Sequence, residues 1–291
     1  MKRFFIHFSL FLLFLCNSAF LGAFELEIGV GINGLTYDPD KISAYSEPDT
    51  EKEFTNYSYF LANVNFRQNI SEILNFSLNF ERDNVLQNSL SAVFGAKTDF
   101  INVNFGVFMG FPDKFTQSDT GITGNLEFLA FKTILLSVSG LSTLGAQYDF
   151  TSNNSRETAK IKLGFYIGSL VPSFSAEMKS FSREVETGIF KDDTLYRFLL
   201  NMDFLLKDFI ISGYVNAGYQ VYSRVYKKDA EYTDKLNSYL AGFGFYWHGK
   251  PLGFKLGLEV PFLLSAKSPM TVSNEYLSFT KAYAGLVLTI E

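Results

Sequence analysis

Cysteine and histidine are nearly absent from this chain. The one cysteine, Cys16, lies within the first 23 residues, and of the two histidines only His248 lies beyond them. After residue 23 there is therefore no cysteine that could form a disulfide or a thiolate metal site. A catalytic site that uses a histidine base has a single candidate there, His248.

Long apolar runs and an excess of basic residues are missing too. After residue 23 no segment has the roughly eighteen consecutive apolar residues of a membrane helix. The formal net charge is −5. This mild acidity argues against nucleic-acid binding, which needs a basic surface to neutralise phosphates.

The first 23 residues are predicted to be an export signal peptide. Lys2 and Arg3 precede an apolar stretch over 4–15, and Ala19 and Ala23 are both small residues at possible cleavage points. A retained membrane anchor is the alternative, whereas lipid attachment at Cys16 is disfavoured by the bulky Leu15 before it. The mature domain is predicted to be 24–291, without a second domain.

After residue 23, apolar and polar residues alternate at period 2, as in 24–33 and 101–107. Successive side chains of a strand point to opposite faces, so each segment has one apolar and one polar face. Many such segments behind a signal peptide predict an all-β, transmembrane, antiparallel up-and-down barrel. Fourteen strands are predicted, or twelve if the hairpin over 121–148, where the alternation weakens, is not formed. The predicted strands are 24–34, 57–67, 73–82, 89–97, 100–111, 121–131, 133–148, 158–168, 173–181, 194–204, 209–222, 238–248, 252–262 and 278–290.

The predicted connections alternate between long and short. The longest are 35–56, 182–193, 223–237 and 263–277, and the tight ones lie near 68–72, 98–99, 132, 169–172, 205–208 and 249–251. Membrane barrels have short turns on the inner side of the membrane and longer loops outside. With the N-terminus on the inner side, all long connections are predicted outside, where 35–56 and 223–237 are candidates for a gate or a contact surface.

The outward face is rich in aromatic residues, in a chain with 17% aromatics and 33 phenylalanines. Those near strand ends predict an interfacial girdle: Phe66, Phe111, Phe181, Tyr219, Trp247, Phe254 and Phe279. The inward face carries charges of both signs between many asparagines. The candidate pore-lining residues are Glu25, Glu27, Arg67, Glu81, Lys97, Glu127, Lys160, Lys162, Glu177, Lys179, Arg197, Asp203, Lys255 and Glu259. They either line an open channel or pair into a plug.

Three local motifs are judged to be without function. Residues 29–34 match a dinucleotide-binding glycine pattern, but no helix is predicted after them. His248 lies at a predicted turn on the inner side with no serine next to it, so no catalytic residue is assigned and the chain is predicted not to be an enzyme. The acidic loop 35–56 lacks the spacing of a calcium site, so no metal and no cofactor are expected.

The architecture as a whole resembles the bacterial outer-membrane β-barrels, and in size the fourteen-stranded monomeric porins. The C-terminal Ile290-Glu291 departs from the aromatic ending of that family, and the richness in Phe, Ser, Asn and Lys resembles a low-GC diderm such as a spirochaete. The resemblance implies that outer-membrane lipid, periplasmic chaperones and barrel-assembly machinery are partners, and that nucleic acid is not.

Three functions remain open at this point. The leading prediction is a porin-like channel at the cell surface for passive diffusion of ions and small hydrophilic solutes. The alternative is a closed barrel that displays its surface loops as an adhesin or receptor. A fatty-acid-type transporter ranks lower because no plug segment precedes the first strand.

Overall fold

The chain forms a single antiparallel sheet that closes on itself. The computed structural model describes residues 24–35, 57–112, 118–144, 154–186, 189–206, 211–227, 231–267 and 280–290. The strands are β1 (Phe24–Leu35), β2 (Tyr57–Asn69), β3 (Leu74–Asp83), β4 (Gln87–Lys97), β5 (Ile101–Phe111), β6 (Asp119–Ala130), β7 (Ile134–Thr143), β8 (Ser155–Phe165), β9 (Leu170–Glu186), β10 (Ile189–Leu206), β11 (Ile211–Lys227), β12 (Glu231–Trp247), β13 (Leu252–Lys267) and β14 (Lys281–Ile290).

Each strand pairs with its neighbours in sequence, and β1 pairs with β14 to close the barrel. Phe24 lies opposite Ile290, and the register continues without a break to Asn33 opposite Lys281. Closure leaves neither β1 nor β14 as a free edge strand. The predicted fourteen-stranded, up-and-down barrel is confirmed. Within the residues described, no helix is long and apolar enough to cross a bilayer.

The hairpin that the sequence left open is formed by β6 and β7. Ala130 pairs with Ile134, and the turn between them is closed by a 3.0 Å hydrogen bond from the Thr133 amide to the Ala130 carbonyl. Phe131 and Lys132 both have positive φ, of 52° and 56°. Such turns usually contain Asn or Gly. The twelve-stranded alternative is therefore wrong, because β6 and β7 do pair. The sequence left the hairpin open because its turn contains no residue that is typical of turns.

All connections at one end of the barrel contain three or four residues, and we call this the short-turn end. Polar side chains close two of these turns. The Leu74 amide donates to Ser71 Oγ at 3.0 Å, and the Ile101 amide donates to Thr98 Oγ1 at 3.1 Å. The tight connections predicted at this end are confirmed.

The connections at the opposite end differ from the prediction in two places. The segments 182–193 and 223–237 were predicted to be loops, but most of their residues belong to β9, β10, β11 and β12. These strands are 17 or 18 residues long and leave only 187–188 and 228–230 between them. Part of 263–277 is strand as well, since β13 continues to Lys267. The predicted loop 35–56 lies almost entirely outside the described residues.

The outer surface of the barrel is an apolar band. Large side chains project outward with much of their surface exposed, among them Phe94 at 64%, Leu200 at 68% and Phe243 at 56%. Aromatic rings lie at two levels along β11–β13. Trp247 packs on Phe254 with centroids 5.4 Å apart towards the short turns, and Tyr219 packs on Tyr239 at 5.3 Å further along. The eight residue steps from Tyr239 to Trp247 span about 27 Å of strand, which suits a tilted strand crossing an apolar layer about 25 Å thick.

Beyond the aromatic level of Tyr219 and Tyr239, away from the short-turn end, the outward face becomes polar. Ser180 and Ser182 of β9 lie opposite Thr194 and Asp192 of β10, and the Ser182 hydroxyl donates to Asp192. The ends of β9–β12 therefore extend past the apolar band.

The predicted aromatic girdle holds in part. The assignment of Phe181 to this girdle is wrong, because the register of β9 places its side chain on the inner face, where it is fully buried. Phe66 faces outward by register but is buried, with its ring 5.7 Å from that of Phe24. Phe279 lies outside the described residues.

Candidate functional site

The strand register places the side chains of the fourteen candidate residues on the inner face of the barrel. Their role in lining a pore stays a prediction, but their places are clear, and several form ion pairs. Lys162 Nζ lies 2.9 Å from Asp203 Oδ2, and Lys255 Nζ lies 2.6 Å from Glu27 Oε2. The remaining inward positions are those of Glu25, Arg67, Glu81, Lys97, Glu127, Lys160, Glu177, Lys179, Arg197 and Glu259.

A chain of ion pairs joins four strands and crosses the lumen. Glu259 of β13 accepts from Arg197 of β10 at 2.7 Å, and Arg197 lies 3.7 Å from Glu177 of β9. Lys179, two residues further along β9, donates at 2.8 Å to Asp83 at the end of β3. Strands β3 and β9 are six places apart in a fourteen-stranded circle. The last bond therefore links nearly opposite walls.

The short turn between β3 and β4 folds into the lumen. Asp83 Oδ1 accepts hydrogen bonds from the amides of Val85 at 2.8 Å and Leu86 at 3.0 Å, which fixes the turn. Gln87 follows with a positive φ of 58°. From β8, Arg156 Nε donates to the Leu86 carbonyl at 2.7 Å. One carboxylate thus holds the turn's backbone and binds Lys179 across the lumen.

Buried apolar side chains surround this turn. Val85 is completely buried and Leu86 nearly so, and both belong to one cluster with Tyr59, Leu61, Phe181, Leu195, Tyr222 and Leu236. These residues come from β2, the β3–β4 turn, β9, β10, β11 and β12, which lie around the circumference of the barrel. We call this cluster the plug. It brings side chains from distant parts of the wall together in the lumen at the level of the turn.

A buried ionic cluster lies next to the plug, in the part of β9–β11 that extends past the apolar band. Asp193 accepts from Arg224 at 2.7 Å and from Arg183 at 2.9 Å, and Lys191 Nζ lies 3.4 Å away. The Tyr222 hydroxyl donates to the same carboxylate at 2.5 Å. Burial alone would raise the pKa of Asp193, but the three cations and the hydroxyl hold it well below its usual range.

Phe181 connects the plug to these cations. The guanidinium of Arg156 lies 4.0 Å from its ring centroid and that of Arg183 lies 4.7 Å away. Arg156 also pairs with Asp119 of β6. The negative face of an aromatic ring attracts a cation without neutralising its charge, so Phe181 is an internal structural residue that contacts both guanidinium groups.

The residues of the turn and the ionic cluster were not predicted from the sequence. Asp83, Asp119 and Arg156 fall in predicted connections, and Arg183, Lys191, Asp193 and Arg224 fall in predicted loops. Alternation does continue over 178–184, where Phe181 and Arg183 share one face and Ser180 and Ser182 the other. A charged residue on the same face as an aromatic one conceals this signal, because the face is no longer uniformly polar.

Beneath the plug the lumen contains cavities whose linings combine polar and apolar side chains. One, of about 610 Å³, extends from Leu86 down to Arg67 and Asn102 near the short-turn end. Two others of about 520 Å³ and 370 Å³ lie towards β1–β3 with β11–β14, and towards β7–β13. The inner face therefore encloses space at the short-turn end and is packed near the opposite end.

The structure corrects the description of His248. No serine is next to it in sequence, but Ser212 Oγ of β11 lies 2.8 Å from His248 Nε2, and the Tyr246 ring lies 3.7 Å from the imidazole. Both residues lie at the short-turn end, and His248 is exposed. The pair holds the end of β12 against β11. That the chain is not an enzyme stays a prediction.

The glycine pattern over 29–34 is part of β1, where Gly29 pairs with Gly285 and with Asn63. Its backbone amides are engaged in the sheet, so the residues cannot form the loop that holds a dinucleotide phosphate. The interpretation of this motif as a chance match is confirmed.

Comparison with known proteins gives similarity of fold only. No family model and no curated protein matches the sequence. Among solved structures, OmpT, an outer membrane protein of Vibrio cholerae, has a TM-score of 0.41 at 8% identity over 92% of this chain and 96% of that one. An anion-selective porin from Comamonas acidovorans has a TM-score of 0.38 at 10% identity, covering 92% and 98%. The CymD monoaromatic hydrocarbon channel has a TM-score of 0.37 at 8% identity, covering 92% and 88%. At these values the function rests on the residues of this chain.

Proposed function

We propose that the protein spans a bacterial outer membrane and is a porin-like channel for passive diffusion of ions and small hydrophilic solutes. The exposed apolar band supports membrane insertion, because side chains such as Leu200 and Phe243 would be unfavourable in water and need no protein partner in lipid. The closed sheet, together with the export signal predicted over 1–23, supports an outer-membrane location. The short-turn end then faces the periplasm and the plug lies near the cell surface.

The main support for a channel is the polar inner face of the barrel and the cavities that lie beneath the plug. A closed barrel could fill its interior with apolar side chains, as a soluble protein does. Here amide, hydroxyl and charged groups line a cavity of about 610 Å³ that extends from Leu86 to Asn102. Polar groups around a space of this size are favourable when the space holds water or a hydrophilic solute.

The plug restricts this channel. The β3–β4 turn inserts only three residues into the lumen, and Asp83 holds it through Lys179. The turn is held by the Asp83–Lys179 bond, by the bond from Arg156 to the Leu86 carbonyl and by the packing of Val85 and Leu86, none of which is a strand pairing of the barrel wall. Passage of a solute therefore requires movement of the turn rather than of the sheet.

One observation favours a second function. The plug packs side chains from six places around the wall, and the ends of β9–β12 extend beyond the apolar band. A barrel that stays closed and presents these extensions to a partner, as an adhesin or receptor, would have the same features. Outer-membrane lipid and the barrel-assembly machinery are partners under both functions.

Conductance across a planar lipid bilayer separates the two functions. Residues 24–291 are refolded, shown to be β-rich and heat-modifiable, and added to the bilayer. Infrequent discrete steps are expected for the wild type, because openings require displacement of the plug. Val85→Ser, which weakens the packing of the turn, is expected to make the steps more frequent. A folded wild type and a folded Val85→Ser variant that both show no step at any voltage would refute the channel and leave the closed barrel.

A further inference from the structure

The cavity of about 610 Å³ has an unusual composition for an ion pathway. We propose that it is a binding site for a neutral polyhydroxylated solute, such as a monosaccharide or polyol. This inference names the solute class of the channel and in that sense rests on the proposed function. It is carried by six carboxamides that line the cavity along β2–β6 and that we call the amide wall: Asn65, Asn75, Asn79, Asn102, Asn104 and Asn125.

The charge balance of the cavity disfavours selection for ions. Three basic and three acidic residues line it, so their formal charges cancel. The basic ones are Arg67, Lys160 and Lys179, and the acidic ones are Glu81, Glu127 and Glu177. Lys179 binds Asp83 at 2.8 Å, and Glu127 accepts from Asn102 at 2.8 Å. A single ion would therefore find no unbalanced field of opposite sign.

The chemistry of the lining also disfavours an apolar solute. Among the residues described, none that lines this cavity is aromatic, and only Leu86, Val93 and Leu141 have large apolar side chains. Six serine and threonine hydroxyls accompany the six amides. A carboxamide offers two donors and an acceptor, and a hydroxyl offers both functions. Sugar hydroxyls, which also donate and accept, match such a wall.

Several amides are held in place before any solute arrives. Asn104 Nδ2 donates to Asn102 Oδ1 at 3.1 Å, and Asn79 Nδ2 donates to Ser91 Oγ at 3.3 Å. Each of these bonds uses one of the three hydrogen-bonding functions of an amide, so capacity remains for a ligand. Fixing the side chains in advance lowers the entropy lost on binding.

Glycine provides the space that the amides occupy. A Cβ atom at Gly95 would contact the amide oxygens of both Asn75 and Asn104, so no other residue fits there without moving them. The volume of the cavity, about 610 Å³, lies within the range of about 300–1,000 Å³ of small-molecule sites. The wall is thus shaped around its amides and is large enough for a small solute.

The test measures binding and permeation separately on the folded barrel. Binding of glucose and of sucrose to the detergent-solubilised protein is followed by saturation-transfer NMR, with triethylene glycol as a neutral probe that lacks the vicinal hydroxyls. Swelling of liposomes in the same sugars measures permeation. We expect glucose or sucrose, and not triethylene glycol, to give saturation transfer.

Paired variants locate the site. Asn79→Leu with Asn104→Leu removes two amides and is expected to weaken sugar binding about tenfold or more, as loss of one or two hydrogen bonds implies. Asn201→Leu is the matched control, because Asn201 also faces inward and donates to a serine, Ser175, at 3.2 Å but does not line this cavity. Asn79→Asp keeps the shape of the side chain and replaces the double variant if that one does not fold.

The outcomes distinguish this inference from the channel itself. Binding of a sugar with no swelling, in the wild type and in the Val85→Ser variant alike, would support the sugar site and refute the channel. Swelling without binding of either sugar would keep the channel and overturn the sugar site. Equal weakening by Asn79→Asp and by Asn201→Leu would also overturn it, because the amide wall would then have no special part in binding.

Discussion

Lys179→Met is the substitution that most directly weakens the hold on the plug. The Lys179 ammonium is 15% exposed and the Asp83 carboxylate 7% exposed, so the variant leaves a buried carboxylate without its main cation. Removing one partner of a buried pair costs about 3–5 kcal/mol. We take the lower value, about 3 kcal/mol, because the amides of Val85 and Leu86 still donate to Asp83. This shifts the balance between the seated and the displaced turn by about 100-fold.

The assay counts channel openings of the refolded barrel in a planar bilayer at fixed voltage. Openings per inserted barrel are expected to rise by about two orders of magnitude in Lys179→Met. Lys160→Met is the control, because Lys160 faces the same lumen from β8 opposite Glu177 and receives the same change. Openings unchanged in Lys179→Met, or raised equally in both variants, would refute the role of the Asp83–Lys179 bond.

Asp83→Asn tests the same bond from its other end. The amide oxygen can still accept from the two turn amides, whereas the charge that binds Lys179 is lost. The double variant of Asp83→Asn with Lys179→Met is expected to open less than the sum of the single effects predicts, because neither unpaired charge remains. Strict additivity would show that the two residues act independently.

Three further results are expected. The pKa of Asp193 is lowered in the folded state, so the ionised carboxylate stabilises the fold. This stabilisation is complete above the unfolded pKa of about 3.9 and is lost as the pH falls through the folded pKa. The difference in thermal unfolding temperature between the wild type and Asp193→Asn should therefore shrink below about pH 4 and stay constant above it. Glu27→Lys places a second cation beside Lys255 and should move the reversal potential in a salt gradient towards anion selectivity; an unchanged potential would place Glu27 off the conducting path. Phe243→Arg on the apolar band should lower folding into lipid vesicles by about 2–4 kcal/mol, whereas Thr233→Arg on the same face of β12 beyond the band should not, and equal effects would contradict the position of the band.

Most of the wall could be predicted from the sequence because period-2 alternation is a local property. The segments 24–34 and 100–111 differ from β1 and β5 by only one residue at one end. The inward charges followed from the same pattern, since each position in a strand fixes the face of its side chain. The hairpin over 121–148 was harder to predict, because the turn at Phe131 and Lys132 contains no residue that favours positive φ.

The plug could not be predicted, because it depends on contacts between distant strands. Asp83 and Lys179 are 96 residues apart, and no local pattern shows that they meet. In the sequence, Val85 and Leu86 are simply two apolar residues in a short turn. Only closure of the barrel places them inside the lumen, in contact with residues of distant strands. Phe181 was assigned to the outside because aromatic residues near strand ends are usual there, whereas Arg156 and Arg183 hold it inside.

Conductance of a barrel with a covalently fixed plug tests the central claim most directly. Residues 24–291 contain no cysteine, so Asp83→Cys with Lys179→Cys introduces the only two thiols, which a short bismaleimide can join across the lumen. The same double-cysteine barrel, measured before the cross-linker is added, serves as the reference. We expect frequent openings of the double-cysteine barrel before cross-linking and their loss afterwards, while either single-cysteine barrel keeps its openings under the same treatment. Openings that persist after complete cross-linking would show that solutes pass elsewhere and would contradict a channel closed by this plug.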